Sequence, residues 1–137
     1  MNAVATQTPA INQPWPEQGG IYIGSRLIDG QTHHILIPGG TEHDIKSVEF
    51  AGIDAAIETA GEINGFSDWR APDQEDLMLA YINARERFER SGWGSMYWSR
   101  TPSGSSLAWV VGFEYGHVHA YGRGYEFLVR PFRSVIA

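Results

Sequence analysis

The chain has 137 residues, a formal net charge of −6 and no cysteine. This length fits one domain with its own core, and the missing cysteines exclude disulfides, thiolate metal sites and cysteine nucleophiles. The ten basic residues form no broad cationic surface for phosphate groups, so we expect no nucleic-acid partner. Because the sequence contains neither an apolar run of about 18 residues nor a signal-peptide pattern, we also expect no membrane insertion.

The first 20 residues are rich in Ala, Thr, Gln, Asn and Pro. Prolines on both sides of Trp15 favour extended backbone, and Gly19-Gly20 ends the segment. We therefore predict an extended N-terminal arm over residues 1–20, followed by one domain over residues 21–137. The arm is either a frayed terminus or a tether for assembly with a neighbouring subunit, in which Trp15 is the anchor.

Residues 21–28 and 31–37 are two strand-like runs. The Asp29-Gly30 pair between them favours the two-residue turn that needs positive φ angles. The sequence therefore predicts an N-terminal β-hairpin. The polar stretch over residues 41–50 fits either a short strand or a loop.

Two helices are predicted after the hairpin. The first spans Ile53 to Ala60, where apolar residues recur at helical spacing and Gly61 follows as a stop signal. The second begins after Pro72-Asp73, with acidic residues near its start and arginines near its end, as the helix dipole favours. Its predicted buried face consists of Leu77, Ala80, Tyr81, Ala84 and Phe88.

From Ser91 onward the chain is rich in Gly, Ser, Trp and Tyr. Strands are predicted over residues 96–99, 108–114, 117–121 and 126–135. Tyr115-Gly116 and Gly122-Arg123-Gly124 are the predicted turns around the third of these strands. A hairpin, two helices and C-terminal antiparallel strands together predict an α+β fold.

Five blocks along the chain carry a resemblance to a known family. They are Asp68-Trp69-Arg70-Ala71-Pro72, Asp76-Leu77, Tyr97-Trp98-Ser99-Arg100-Thr101-Pro102, Ala108-Trp109-Val110-Val111-Gly112-Phe113 and Val129-Arg130-Pro131-Phe132-Arg133. With these blocks the chain resembles the Lcl C-terminal domain family, which is found in bacteriophage and bacterial proteins. The resemblance implies a C-type-lectin-like fold and a binding module whose C-terminal segment contacts a receptor, often on phage tail fibres or bacterial surface proteins.

Two activities of related proteins do not follow from this resemblance. The formylglycine-generating enzymes, which are thought to share the fold, depend on cysteines, and this chain has none. Calcium-dependent sugar-binding lectins use Gln-Pro-Asp or Glu-Pro-Asn together with Trp-Asn-Asp, and none of these motifs occurs in the sequence.

The segment from Phe113 to Tyr125 alternates large rings with small residues. On a strand the odd-numbered residues share one face, and amphipathic rings on one face suit a rigid contact surface, although a helix covering that face is an alternative. The predicted binding residues, including the possible border residues, are Phe113, Tyr115, His117, His119, Tyr121, Arg123, Tyr125, Trp93, Tyr97 and Arg100.

Other conspicuous side chains are predicted to be structural. Trp69, Trp98 and Trp109 are expected in the core. Arginines 70, 130 and 133 are expected to bond loop carbonyls or carboxylates such as those of Asp68 and Asp76. His117 and His119 have the spacing of two metal ligands on one strand face, but the sequence shows no third ligand converging on them.

We therefore predict a non-enzymatic binding protein without a metal or other cofactor. The resemblance favours a bacteriophage tail or tail-fibre component, made in the host cytoplasm and carried in the virion. Its expected partners are a host-surface receptor (glycan or protein), other tail proteins and further copies of itself in a homo-oligomer. The alternatives are an intracellular interaction protein that blocks a host protein and a histidine-based metal-dependent enzyme.

Overall fold

The computed structural model describes residues 7–137, and residues 1–6 of the predicted arm lie outside the described residues. The fold is mixed α+β, as predicted, with two α-helices and two β-sheets among the described residues. The helices are α1 (Ile53–Ala60) and α2 (Gln74–Ala84). The strands are β1 (Gln13–Trp15), β2 (Gly20–Ile28), β3 (Gln31–Ile37), β4 (Ile45–Val48), β5 (Met96–Ser103), β6 (Leu107–Gly112), β7 (His117–Gly122), β8 (Phe127–Val129) and β9 (Arg133–Ile136).

The first sheet is antiparallel, with strand order β1-β2-β3-β9. The predicted hairpin is confirmed, because β2 and β3 are joined by Asp29 and Gly30 with φ angles of 51° and 81°. Positive φ at both central residues is the mark of the hairpin turn that Asp-Gly favours. Residues 13–15 of the predicted arm also belong to this sheet, since β1 pairs with β2.

The second sheet has strand order β4-β8-β5-β6-β7. It contains one departure from the predicted antiparallel pattern, because β5 and β8 pair in parallel at Tyr97 and Leu128. The strand predicted over residues 126–135 is two strands, β8 in the second sheet and β9 in the first. The chain leaves one sheet for the other at Arg130-Pro131, where proline supplies no backbone donor for a continuing ladder.

Both predicted helices are present, but α2 ends at Ala84. The prediction that Phe88 belongs to its buried face is wrong in this respect, because Phe88 follows a short turn in extended backbone, although its side chain is buried. Helix α1 has the predicted bounds and buries Ile53 and Ile57. Helix α2 starts with a capping box, in which the Asp73 side chain accepts a hydrogen bond from the Asp76 backbone and the Asp76 side chain accepts one from the Asp73 backbone. This reciprocal pair satisfies two backbone donors at the start of the helix and fixes the point at which it begins.

Two apolar cores lie on opposite faces of the second sheet. One is shared by both sheets and α2, and includes Ile23, Ile35, Leu77 and Phe113. The other lies beside α1 and contains Ile53, Ile57, Trp69, Trp98, Ala108, Val110 and Phe127. Trp69 and Trp98 are therefore in the core, as predicted, whereas Trp109 is only half-buried.

Leu77 is the best single test of the predicted helix face, because its side chain is fully buried. We expect Leu77→Ala to lower the free energy of unfolding by about 2–5 kcal/mol through lost apolar contacts and the cavity left behind. The control is Ile82→Ala on the same helix, where the side chain is 64% exposed and the loss should stay within about 0.5 kcal/mol. Equal losses for the two variants in denaturant unfolding would contradict the assigned face.

Candidate recognition surface

Strand β7 carries large rings because its sequence alternates bulky and small side chains. His117, His119 and Tyr121 lie on one face, and Val118 and Ala120 lie on the other. His119 is opposite Val110 on β6, and Tyr121 is opposite Ala108. Cross-strand partners share a face, and both β6 residues belong to the core beside α1. The rings of β7 therefore continue that core face to the edge of the sheet, where they meet solvent.

These rings form a continuous surface with three neighbours. We use the name aromatic strip for Trp93, Tyr115, His117, His119, Tyr121 and Tyr125. Ring centroids along β7 are 5.3 Å apart between His117 and His119 and 5.8 Å apart between His119 and Tyr121. Within the strip, Trp93 packs edge-to-face against Tyr121, with ring centroids 5.5 Å apart. Spacings of this size are those of interacting aromatic rings, so the side chains support one another in fixed positions.

The strip is anchored at one end and exposed along most of its length. Phe127 is buried and lies 5.2 Å from Tyr121 and 5.4 Å from Trp93, measured between ring centroids. Trp93, Tyr115 and Tyr125 are 58%, 71% and 51% exposed. A rigid aromatic surface open to solvent can bind a partner with little loss of side-chain entropy.

A cleft of about 290 Å³ opens between the Trp93 segment and the turn that follows β6. Four strip residues line it, and Glu114 adds a carboxylate to the same wall. Gly112 and Met96 also line it, and a Cβ atom on Gly112 would lie 3.1 Å from the Met96 sulfur. The sequence prediction missed Glu114, Gly112 and Met96, because their places depend on a turn and on a second strand.

The polar ends of the strip differ from those of the buried aromatic side chains. Trp69 Nε1 donates to the Ile63 carbonyl, Trp98 Nε1 donates to the Val48 carbonyl, and the Tyr97 hydroxyl donates to Asp44. Within residues 7–137 the structure shows no corresponding side-chain hydrogen bond for the strip. Its indole, phenol and imidazole groups are therefore available to a ligand.

Two of the predicted binding residues lie inside the molecule. Phe113 is fully buried and stacks on Phe88 with ring centroids 4.2 Å apart. Strand β6 ends at Gly112 and the chain turns over residues 113–116, so the alternation of β7 does not extend back to Phe113. Tyr97 is also fully buried, and the exposed alternation begins at Tyr115.

The two predicted arginines are engaged elsewhere. Arg123 donates to the carbonyls of Leu107 and Gly104 and lies over the Phe50 ring, so it ties the turn after β7 to neighbouring loops. Arg100 forms an ion pair with Asp54 at 3.1 Å. It lines a different cleft, together with Trp69 and Arg70, and is not part of the strip.

Trp15, the predicted assembly anchor, is 5% exposed. It packs edge-to-face against Tyr22 and His34 of the first sheet, with ring centroids 5.8 Å and 5.4 Å away. These contacts lie within the chain, so Trp15 holds the arm against its own domain. An assembly role for this side chain stays a prediction.

The histidines do not gather into a metal centre. Over the part of the chain that the structure describes, no three His, Asp or Glu side chains are grouped to hold a metal ion. His33 and His34 lie on β3 in the first sheet, whereas His117 and His119 lie on β7 in the second. None of the helices within residues 7–137 is long and apolar enough to cross a membrane.

The predicted structural role of Arg70, Arg130 and Arg133 is confirmed by their contacts. Arg70 pairs with Asp76 at 2.6 Å, Arg130 with Asp44 at 2.7 Å, and Arg133 with Asp68 at 2.6 Å.

No model of a known protein family matches this sequence, and no curated protein matches it either. The resemblance to the Lcl C-terminal domain family therefore rests on the sequence blocks alone.

Proposed function

We propose that this chain is a non-enzymatic recognition domain with a C-type-lectin-like fold, and that the aromatic strip is its receptor-contacting surface. The observation that carries the proposal is the exposed row of rings on β7, whose polar ends have no partner within the described residues. Interface hot spots are rich in Trp and Tyr, and ligand sites combine aromatic walls with a few polar groups. The cleft beside Trp93 has this composition.

The proposed setting is a bacteriophage tail or tail fibre, with a host-surface receptor as the ligand. The support for this setting is the resemblance in the sequence blocks, in which the C-terminal segment is the receptor-contacting part. The chain is produced in the host cytoplasm and carried in the virion. Detecting it by mass spectrometry in purified virions tests the setting, and its absence from particles would contradict it.

Adsorption of particles to the host tests the strip itself. We expect the triple variant His117→Ala, His119→Ala and Tyr121→Ala to reduce adsorption by at least about tenfold, since truncating hot-spot rings weakens binding by about 2 kcal/mol or more. The control is Leu27→Ala, because Leu27 is 67% exposed on the first sheet and lies outside the strip. Wild-type adsorption by a folded triple variant would exclude the strip as the contact surface.

A further inference from the structure

Four strands form the edges of the two sheets, and three of them are protected against pairing with another strand. Strand β1 has three residues, one of which is Pro14. Strand β4 has Lys46, and its register is broken beside Ser47, which has a φ of 58°. Strand β9 has four residues and is bordered by Arg70, whose Nε donates to Ser134 Oγ at 2.9 Å. Short length, proline, lysine and bulges are the usual protections of edge strands.

Strand β7 has none of these protections. It is six residues long, it contains neither proline nor a charged residue, and it pairs with β6 in an unbroken register from His117 to Gly122. An edge that is regular and uncharged can accept a further strand. The absence of acidic side chains is notable because the chain as a whole carries sixteen.

The direction of the β7 backbone groups follows from the ladder with β6. The Arg123 amide donates to the Ser106 carbonyl at 3.3 Å, in line with the register of the two strands. Because hydrogen-bonded pairs alternate along an antiparallel ladder, the odd-numbered residues of β7 bond to β6. The amides and carbonyls of Val118 and Ala120 therefore point away from β6, towards the free edge. The outward carbonyl of Gly122 is already bonded to the Tyr125 amide.

We propose that two copies of this chain pair through β7, antiparallel and about a two-fold axis at His119. In this register Val118 of each copy lies opposite Ala120 of the other. These are the residues whose backbone groups point outward, so the pairing forms four hydrogen bonds across the axis. A register centred on Ala120 would require the Gly122 carbonyl, which already accepts a hydrogen bond from the Tyr125 amide. The interface is isologous, as a closed dimer requires.

The side chains fit the same register. On one face the larger Val118 meets the small Ala120 of the second copy. On the other face His117 meets Tyr121 of the second copy, and the two His119 residues face each other with Cα atoms about 4.5 Å apart, the spacing of a non-hydrogen-bonded pair. Aromatic cross-strand pairs of this kind stabilise antiparallel sheets.

Pairing would join two five-stranded sheets into one sheet of ten strands. A two-fold axis perpendicular to the sheet keeps both aromatic strips on the same face, so the dimer presents one surface twice as long. The pairing can be tested separately from receptor binding, because its four hydrogen bonds come from the backbone of β7, whereas the proposed function depends on the rings.

Sedimentation equilibrium of the full chain, with and without substitutions on β7, tests this dimer. We expect wild type to reach a dimer mass at tens of micromolar concentration, and Ala120→Pro to raise the dissociation constant at least about 100-fold. Proline removes the outward amide of each copy, and with it two of the four hydrogen bonds, while the β6 ladder stays intact. Ala120→Ser keeps the amide and should remain dimeric.

His119→Glu is the second variant, because it leaves the backbone unchanged and places two carboxylates opposite each other. We expect it to be folded by circular dichroism and monomeric. A wild-type chain that stays monomeric, or a His119→Glu variant that keeps the wild-type dimer mass, would overturn the proposal. Adsorption measured on Ala120→Pro separates the two proposals, because this variant loses the dimer and keeps every ring of the aromatic strip.

Discussion

Replacing Asp44 with Ala is expected to lower the free energy of unfolding by about 3–5 kcal/mol, because it leaves a buried guanidinium without its counter-charge. Arg130 is fully buried, and its Nε donates to Asp44 Oδ1 at 2.7 Å. Its remaining donors bind the carbonyls of Gly39 and Arg87 at 3.0 Å. Neither carbonyl replaces the lost charge.

The same carboxylate also accepts a hydrogen bond from the Tyr97 hydroxyl at 2.7 Å. Burial raises the pKa of Tyr97, so this hydroxyl stays protonated and remains a donor. Asp44→Ala therefore removes the acceptor of a second buried group, which adds to the destabilisation.

Chemical denaturation measures this effect, and an exposed ion pair supplies the control. Asp54 pairs with Arg100, and both side chains are more than half exposed, so Asp54→Ala should cost less than about 1 kcal/mol. If Asp44→Ala lost no more free energy of unfolding than Asp54→Ala, the buried contacts of Asp44 with Arg130 and Tyr97 would not be important for stability.

Acid should unfold the protein partly through Asp76. This carboxylate is fully buried between two arginines, 2.6 Å from Arg70 and 2.8 Å from Arg26, and it also caps α2. Burial by itself raises the pKa of Asp76. This effect is outweighed by the hydrogen bond and positive charge of Arg70, and by the hydrogen bonds from the Asp73 backbone amide and from Arg26. The pKa is lowered from the ordinary value of 3.8.

The lowered pKa of Asp76 determines how the stability of the protein changes with pH. The folded protein binds the Asp76 proton less tightly than the unfolded chain does, so the stabilisation is complete above pH 3.8 and is lost as the pH falls through the lowered folded-state value. We expect Asp76→Asn to cost about 3 kcal/mol at pH 7. We also expect its free energy of unfolding to fall less than that of wild type between about pH 5 and pH 2.

Glu75→Gln is the matched control for Asp76→Asn. Glu75 is adjacent in sequence and also contacts Arg26, but its side chain is 80% exposed, so the loss should stay below about 1 kcal/mol. Parallel pH profiles for wild type and Asp76→Asn in urea unfolding would contradict the assigned role of Asp76.

The features that local sequence predicts correctly depend on residues a few positions apart. Asp29-Gly30 specifies its own turn, and Ile53 to Ala60 has a helical period followed by Gly61. The start of the second helix is indicated by Pro72-Asp73 and the acidic residues directly after it. The alternation of β7 is equally local, so the sequence alone predicts that His117, His119 and Tyr121 lie on one face.

The division of residues 126–135 between two sheets could not be predicted in this way. The strand pattern of these residues is continuous in sequence, but β8 pairs with β4 and β5, and β9 pairs with β3. The position of Arg130 between these strands depends on Gly39, Asp44 and Arg87, none of which is near it in sequence. Contacts over such separations leave no local pattern.

For the candidate site, the alternation in the sequence indicates that the rings of His117, His119 and Tyr121 share one face of β7. Which of the predicted binding residues join one exposed surface depends instead on contacts between residues that are distant in sequence. Phe113 is covered by α2 and Phe88, Arg100 is held by Asp54, and Arg123 is held by loop carbonyls. The period of a strand fixes the face on which a side chain lies, whereas its exposure depends on what the rest of the chain packs against that face.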